Sequence, residues 1–204
     1  MGIYSIKPYF QKALQPIASF CIAMKIHPNV INLLGFFFSL AMAFSLFYTA
    51  PFPVLYWILP AGAFLRTACN ALDGMVARGL QVSSSMGEVY NEFYDRISDA
   101  IIFFCIGFTG HGRIELAFIA TICILLNSYL GIIGKASGGS RVYAGLLGKA
   151  DRMILLGVMG IISFFTFKTL YWNVFLLVII AGTGIAMIQR ISIIKKELKN
   201  ERVK

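Results

Sequence analysis

The chain has nine acidic residues, and five of them, Asp73, Glu88, Glu92, Asp95 and Asp99, fall within 27 positions of otherwise apolar sequence. An ionisable side chain at the centre of a membrane helix costs ~2.5–3.5 kcal/mol to insert. Five carboxylates so placed call for cations to neutralise them. At 3.6 residues per turn, Glu88, Asn91, Glu92, Asp95 and Asp99 lie along one stripe of a helix. Asn70 and Asp73 share a face of the preceding helix, and a short connection folds the two antiparallel with their stripes opposed. Oxygen ligands of this kind suit Mg2+ or Mn2+ far better than zinc. Clustering alone leaves two other readings open: a water-filled crevice holding a polar network, or the acids of a proton or cation pathway.

The elements that must position these residues follow from composition. The 204 residues are 58% hydrophobic and 13% charged, whereas soluble domains run at about 45–50% and 25%. The expected fold class is an all-α integral membrane protein. At ~20 residues per span, the chain accommodates six transmembrane helices, preceded by an N-terminal interfacial amphipathic helix. Apolar runs place the spans near 30–49, 54–72, 86–109, 114–134, 153–167 and 170–190. The expected organisation is an interfacial segment over 1–29, a membrane domain over 30–194 and a basic tail over 195–204. His27-Pro28-Asn29 reads as a helix start with Asn29 as the cap. Lysines interrupt the first thirty residues, so no signal peptide is expected there. The four scattered cysteines read as small buried hydrophobes.

Charge gives the orientation. Net charge is +9, and of eighteen basic residues only Arg113 and Lys168 fall at the turns after the third and fifth spans. The positive-inside rule then predicts that both termini are cytoplasmic, along with the loops after the second and fourth spans. The basic excess reads as attraction to anionic lipid rather than nucleic acid.

Written out, the acidic region is Asn70-x-x-Asp73-Gly74-x-x-Ala77-Arg78, eight residues, then Gly87-x-x-x-Asn91-x-x-x-Asp95. This resembles the signature of the CDP-alcohol phosphotransferase family, D-x-x-D-G-x-x-A-R, eight residues, G-x-x-x-D-x-x-x-D. Every spacing agrees, and six of the eight defining residues are present. The entry His27-Pro28-Asn29 is also similar, so the resemblance covers essentially the whole chain.

The resemblance implies transfer of a phosphoalcohol group from a CDP-linked lipid, CDP-diacylglycerol being the expected donor, to an acceptor hydroxyl with release of CMP. It implies Asp73 and Asp95 as ligands of Mg2+ or Mn2+, with Asp95 also the general base. Gly74 and Ala77 would admit the cytidine nucleotide, Arg78 would contact donor phosphate, and Gly87 would allow close helix approach. It further implies a homodimer. Asn70 and Asn91 depart from the pattern, offering carbonyl oxygens without charge. Glu92 and Asp99 are the expected replacements, with Glu88 beside them. A single-metal site, a shifted two-metal site and an inactive relative that binds nucleotide or lipid all stay open, and a small cation transporter is the more distant alternative.

The acceptor is expected near the loop over 134–152. Its glycines, Ser137 and Ser140 can turn N–H groups toward an anion, and Lys135, Arg141, Lys149 and Arg152 surround them. The resemblance makes these four acceptor-binding residues for a small alcohol, with or without a phosphate. The competing reading is lipid-headgroup contact, with Lys149 paired to Asp151. Arg66, one turn before Asn70, is either a counter-ion to the acidic stripe or a snorkelling side chain. His27 and His111 belong to opposite sides of the membrane and read as structural.

Overall fold

The computed structural model describes residues 7–143 and 145–201, and among them it contains seven α-helices and no strand. They are α1 (Lys7–Ala23), α2 (Pro28–Leu46), α3 (Ile58–Gly79), α4 (Ser85–Phe108), α5 (Ile114–Ala136), α6 (Lys149–Phe165) and α7 (Thr169–Glu201), with a 3-10 turn over Pro53–Trp57 leading into α3. The expected helices are all present. The start of α2 is capped differently from expectation. Pro28 has no N–H to satisfy, so the first donor of the helix is Asn29 N–H, which His27 Nδ1 accepts at 3.2 Å. His27, extended as a residue before proline must be, is the cap.

The long helices form a closed ring in the order α2, α3, α6, α7, α5, α4, with α6 and α7 meeting least closely. Each surface is the reverse of a soluble helix. The buried side of α2 carries Asn32, Gly35, Ser39, Met42 and Ser45, while Leu33, Leu34, Phe37 and Phe44 point outward. Small residues inside allow close backbone approach, and apolar side chains outside match hydrocarbon. At Gly160 of α6 an added Cβ would sit 2.8 Å from the Tyr56 carbonyl oxygen and 2.7 Å from Leu59 Cβ, which fixes how tightly α6 lies on α3. Together these features describe a multi-pass membrane protein.

Among the described residues, three helices are long and apolar enough to cross a bilayer by themselves: α2, α5 and α7. The expectation of six rests on three more that fall short for identifiable reasons. Helices α3 and α4 carry the charged cluster, and α6 has only 17 residues. Helix α7 is longer than expected at 33 residues, about 50 Å at 1.5 Å per residue. It therefore runs on through Lys195, Lys196 and Lys199 as a helix. Helix α1 lies along α3, burying Leu14, Ala18 and Cys21 against Ala68, Cys69, Leu72 and Val76.

At one end of the ring His111 is buried among Thr49, Tyr56 and Thr109, its ring nitrogens 2.7–3.0 Å from their hydroxyls. Arg113 sits at this same end, its N–H donating to Asn173 Oδ1 at 2.7 Å. The acidic stripe and the loop over 137–148 lie at the other.

Candidate active site

Helices α3 and α4 run antiparallel, as expected from the short link between them. Their backbones stay apart while α2 packs on both, and Arg66 of α3 bridges the crevice between them to Asp99 of α4. Asp73 is 5% exposed. Its Oδ1 accepts the Gly74 N–H at 2.6 Å, and it lies within electrostatic reach of Asp95, Lys149 and Arg78. The signature residues that the sequence spaced 22 apart are thus gathered at one crevice. Asn70 and Asn91 are half-buried, and neither amide has a hydrogen-bond partner among the described residues. Nothing but the Arg78 guanidinium comes within 4 Å of where a Gly74 Cβ would be, leaving that backbone open. Ala77 is half-buried and Arg78 exposed in the last turn of α3. Gly87 faces Asn29 of α2, at an ordinary 3.9 Å from its would-be Cβ.

The cations of the loop and of α6 meet the acids of α4 in matching order. Lys135 donates to both oxygens of Glu88 at 2.8 Å. Arg141 donates to Glu92 and lies 3.6 Å from Glu88. Lys149 donates to Asp95. Arg152 donates to Asp99 Oδ2 at 3.1 Å. The expected Lys149–Asp151 pair is replaced: Asp151 accepts the Gly148 N–H at 2.8 Å and caps α6, freeing Lys149 for Asp95. The anion met by the Gly/Ser loop also belongs to the chain. Ser140 N–H and Oγ–H donate to the Glu197 carboxylate of α7 at 2.8–3.0 Å. Ser137 is exposed.

Arg66 resolves as a counter-ion. It is 1% exposed and donates to Asp99 Oδ1 at 2.7 Å, to the Asp95 backbone carbonyl at 3.3 Å and to Met153 Sδ at 3.2 Å. Asp99 has no solvent exposure and is held between Arg66 and Arg152, tying α3, α4 and α6 together. Its neighbours are guanidinium groups and not an open cation position. Asp99 lies on the expected face of its helix, and the side chains that meet it there are Arg66 and Arg152. Arg96 went unnoticed in the sequence. It approaches Glu92 and Asp95 only at 4.0 and 3.7 Å, and it lines an apolar groove against Leu125, Leu126 and Tyr129 of α5.

No three His, Cys, Asp or Glu side chains among the described residues converge as a ready-made metal cage. Asp73, whose Oδ1 accepts a backbone N–H, and the amides of Asn70 and Asn91 have no cation partner among the described residues, and Asp95 stands beside Lys149. That set fits a hard divalent ion of the Mg2+ type, which binds through one or two carboxylates and completes its shell with substrate phosphates.

An acid-lined crevice inside a ring of membrane helices, beside the open Gly74 backbone and an exposed Arg78, describes a membrane-embedded enzyme. The sequence profile of the family described as CDP-alcohol phosphatidyltransferase matches residues 25–190, and the chain belongs to that family. It is a transferase of phospholipid biosynthesis. Among curated relatives, the inner membrane protein YnbA of Escherichia coli is 32% identical over 85% of this chain and 86% of its own. The archaetidylinositol phosphate synthase of Pyrococcus horikoshii is 28% identical over 95% of this chain and 97% of its own. Among solved structures, the phosphatidylinositol phosphate synthase of Mycobacterium tuberculosis with CDP-DAG bound shares the fold at a TM-score of 0.72. That match has 24% identity and covers 88% of this chain and 92% of that one. The same enzyme with manganese and citrate also gives 0.72, at 24% identity, over 88% of this chain and 87% of that one.

Proposed function

We propose that this protein transfers a phosphatidyl group from CDP-diacylglycerol to a small alcohol, releasing CMP, with a divalent cation, Mg2+ or Mn2+, in the crevice between α3 and α4. The observation that carries the reading is the gathering of Asp73, Asp95, Arg78 and Lys149 beside the open Gly74 backbone. The acyl chains of the donor suit a crevice that opens among helices faced with exposed phenylalanine and leucine. Gly74 and Ala77 leave room for the nucleotide, and Arg78 reaches a donor phosphate. When bound, the cation supplies Lewis-acid polarisation of the diphosphate and neutralises charge on the departing CMP.

Asp73 and Asp95 are the charged ligands we assign, with Asn70 and Asn91 offering neutral oxygens. Glu92 and Asp99, already committed to Arg141 and to Arg66 with Arg152, act instead as anchors for those arginines. Asp95 faces the acceptor and takes its hydroxyl proton as the new O–P bond forms and the bridging P–O bond to CMP breaks. Lys149 holds the Asp95 carboxylate in place. The charge asymmetry, with Arg113 and Lys168 at the end opposite the crevice, supports six spans with both termini and the active site on the cytoplasmic side.

The test is CMP release by purified protein in lipid nanodiscs with CDP-diacylglycerol, Mn2+ or Mg2+, and a pool of acceptor alcohols. Acceptor-dependent CMP is expected, and it should be abolished by Asp73→Ala and by Asp95→Asn in protein that still folds. Silence with every acceptor and both ions, in protein that still binds nucleotide, would favour the non-catalytic relative. Full activity in either variant would remove its assignment.

A further inference from the structure

Five cations stand around the acceptor loop: four already have a carboxylate of this chain as partner, and Arg190 of α7 donates to the backbone carbonyls of Asn127 and Tyr143. Lys135 has Glu88, Arg141 has Glu92, Lys149 has Asp95 and Arg152 has Asp99. The hydroxyl and N–H of Ser140, the other donors suited to an anion, are taken by Glu197. Arg66 is spent on Asp99, and Arg96 lines a separate groove against α5. Of these partners only Asp95 belongs to the signature. Glu88 and Glu92 are additional acids, next to positions where the signature's own carboxylates would stand or one turn before them. Asn91, by contrast, is an amide where a carboxylate is expected, as is Asn70.

A phosphate-bearing acceptor entering here would meet Lys135 and Arg141 already held by Glu88 and Glu92. To bind it, Arg141 would have to release Glu92, which is 16% exposed and has one oxygen buried without a hydrogen-bond partner among the described residues. A buried charge stripped of its partner is strongly disfavoured. Hydroxyl groups, however, need only uncharged partners.

We infer that the acceptor alcohol of this enzyme carries no phosphate: it is an uncharged polyhydroxy alcohol, selected because Glu88, Glu92 and Glu197 already occupy Lys135, Arg141 and Ser140, donors that a phosphate would need. The inference rests on the transferase reading given above and names the substrate class of that same site. It runs against simple transfer from relatives named as inositol phosphate synthases, so a single comparison separates them.

The experiment measures kcat/KM for CMP release from CDP-diacylglycerol with matched acceptor pairs: inositol against inositol phosphate, and glycerol against glycerol 3-phosphate. The unphosphorylated member of at least one pair should be preferred by tenfold or more, and inorganic phosphate should not compete with it. In Glu88→Gln/Glu92→Gln the ratio should move at least tenfold toward the phosphorylated acceptor, and inorganic phosphate should become a competitive inhibitor. If that double variant does not fold, Glu88→Gln and Glu197→Gln, at more exposed positions, should each move the ratio in the same direction. A wild-type preference below tenfold, or for the phosphorylated alcohol, overturns the inference and leaves the transferase reading intact. An unmoved ratio in folded variants overturns the role of these carboxylates. No CMP from any acceptor refutes the transferase reading itself, and this inference with it.

Discussion

Replacing Asp99 by asparagine keeps the side-chain shape and removes one charge from the most enclosed ion cluster in the protein. Asp99 is wholly buried, and Arg66 and Arg152 are 1% and 2% exposed. The variant would leave two guanidinium groups facing each other across a neutral amide. Removing one partner of a buried ion pair costs roughly 3–5 kcal/mol. For a chain of this size each kcal/mol lowers the melting temperature by about 2–4 °C, so a fall of roughly 6–20 °C is expected. The assay is thermal unfolding in detergent without divalent cations, followed by labelling with a thiol-reactive dye, since Cys21 and Cys69 are buried and free. Replacing the whole cluster, as Arg66→Met/Asp99→Leu/Arg152→Met, should recover much of the loss, because no charge is then left buried. A melting temperature within 2 °C of wild type in cation-free buffer, combined with lost transfer activity, would refute the anchoring role. It would return Asp99 to the metal ligands.

Three further substitutions test the fold at sites away from the crevice. Burial pushes the His111 imidazole down from 6.5 to about 4. A depressed folded value means that the unfolded chain binds the proton first as pH falls. Stability from this residue is therefore complete above pH 6.5 and lost progressively down to about pH 4. The drop corresponds to about 3 kcal/mol. Melting curves over that range should flatten in His111→Gln, and an unchanged pH slope would show that His111 is not the group responsible. Gly160→Ala should destabilise by ~1–3 kcal/mol, because its Cβ meets backbone at 2.8 Å. Gly184→Ala in α7, where nothing lies within 4 Å, should stabilise by about 0.5–1 kcal/mol. Equal melting temperatures for these two variants would contradict the packing of α6 on α3.

Membrane residence, the all-helical class and the family were legible in the chain itself. Composition alone demanded a hydrocarbon environment, and the spacing from Asn70 to Asp95 carried the resemblance. Helical periodicity put Glu88, Glu92, Asp95 and Asp99 on one face, because 3.6 residues per turn is a local property of the backbone. It could not say what that face meets. The partners of those acids lie 47 to 54 positions on in sequence or on α3, and the arrangement of α3, α4, α5 and α6 sets their register. Small residues such as Gly160 fix that register by how near the helices approach. Lys149 shows the difference most directly. Its sequence neighbour Asp151 is nearer along the chain, but the N-terminus of α6 claims that carboxylate for its own unpaired N–H group. The Lys149 ammonium is left to cross the crevice to Asp95. Sequence thus determined which side chains could do chemistry, and tertiary structure decided which of them are already neutralised. Charge pairing across helices depends on distances that no local repeat encodes.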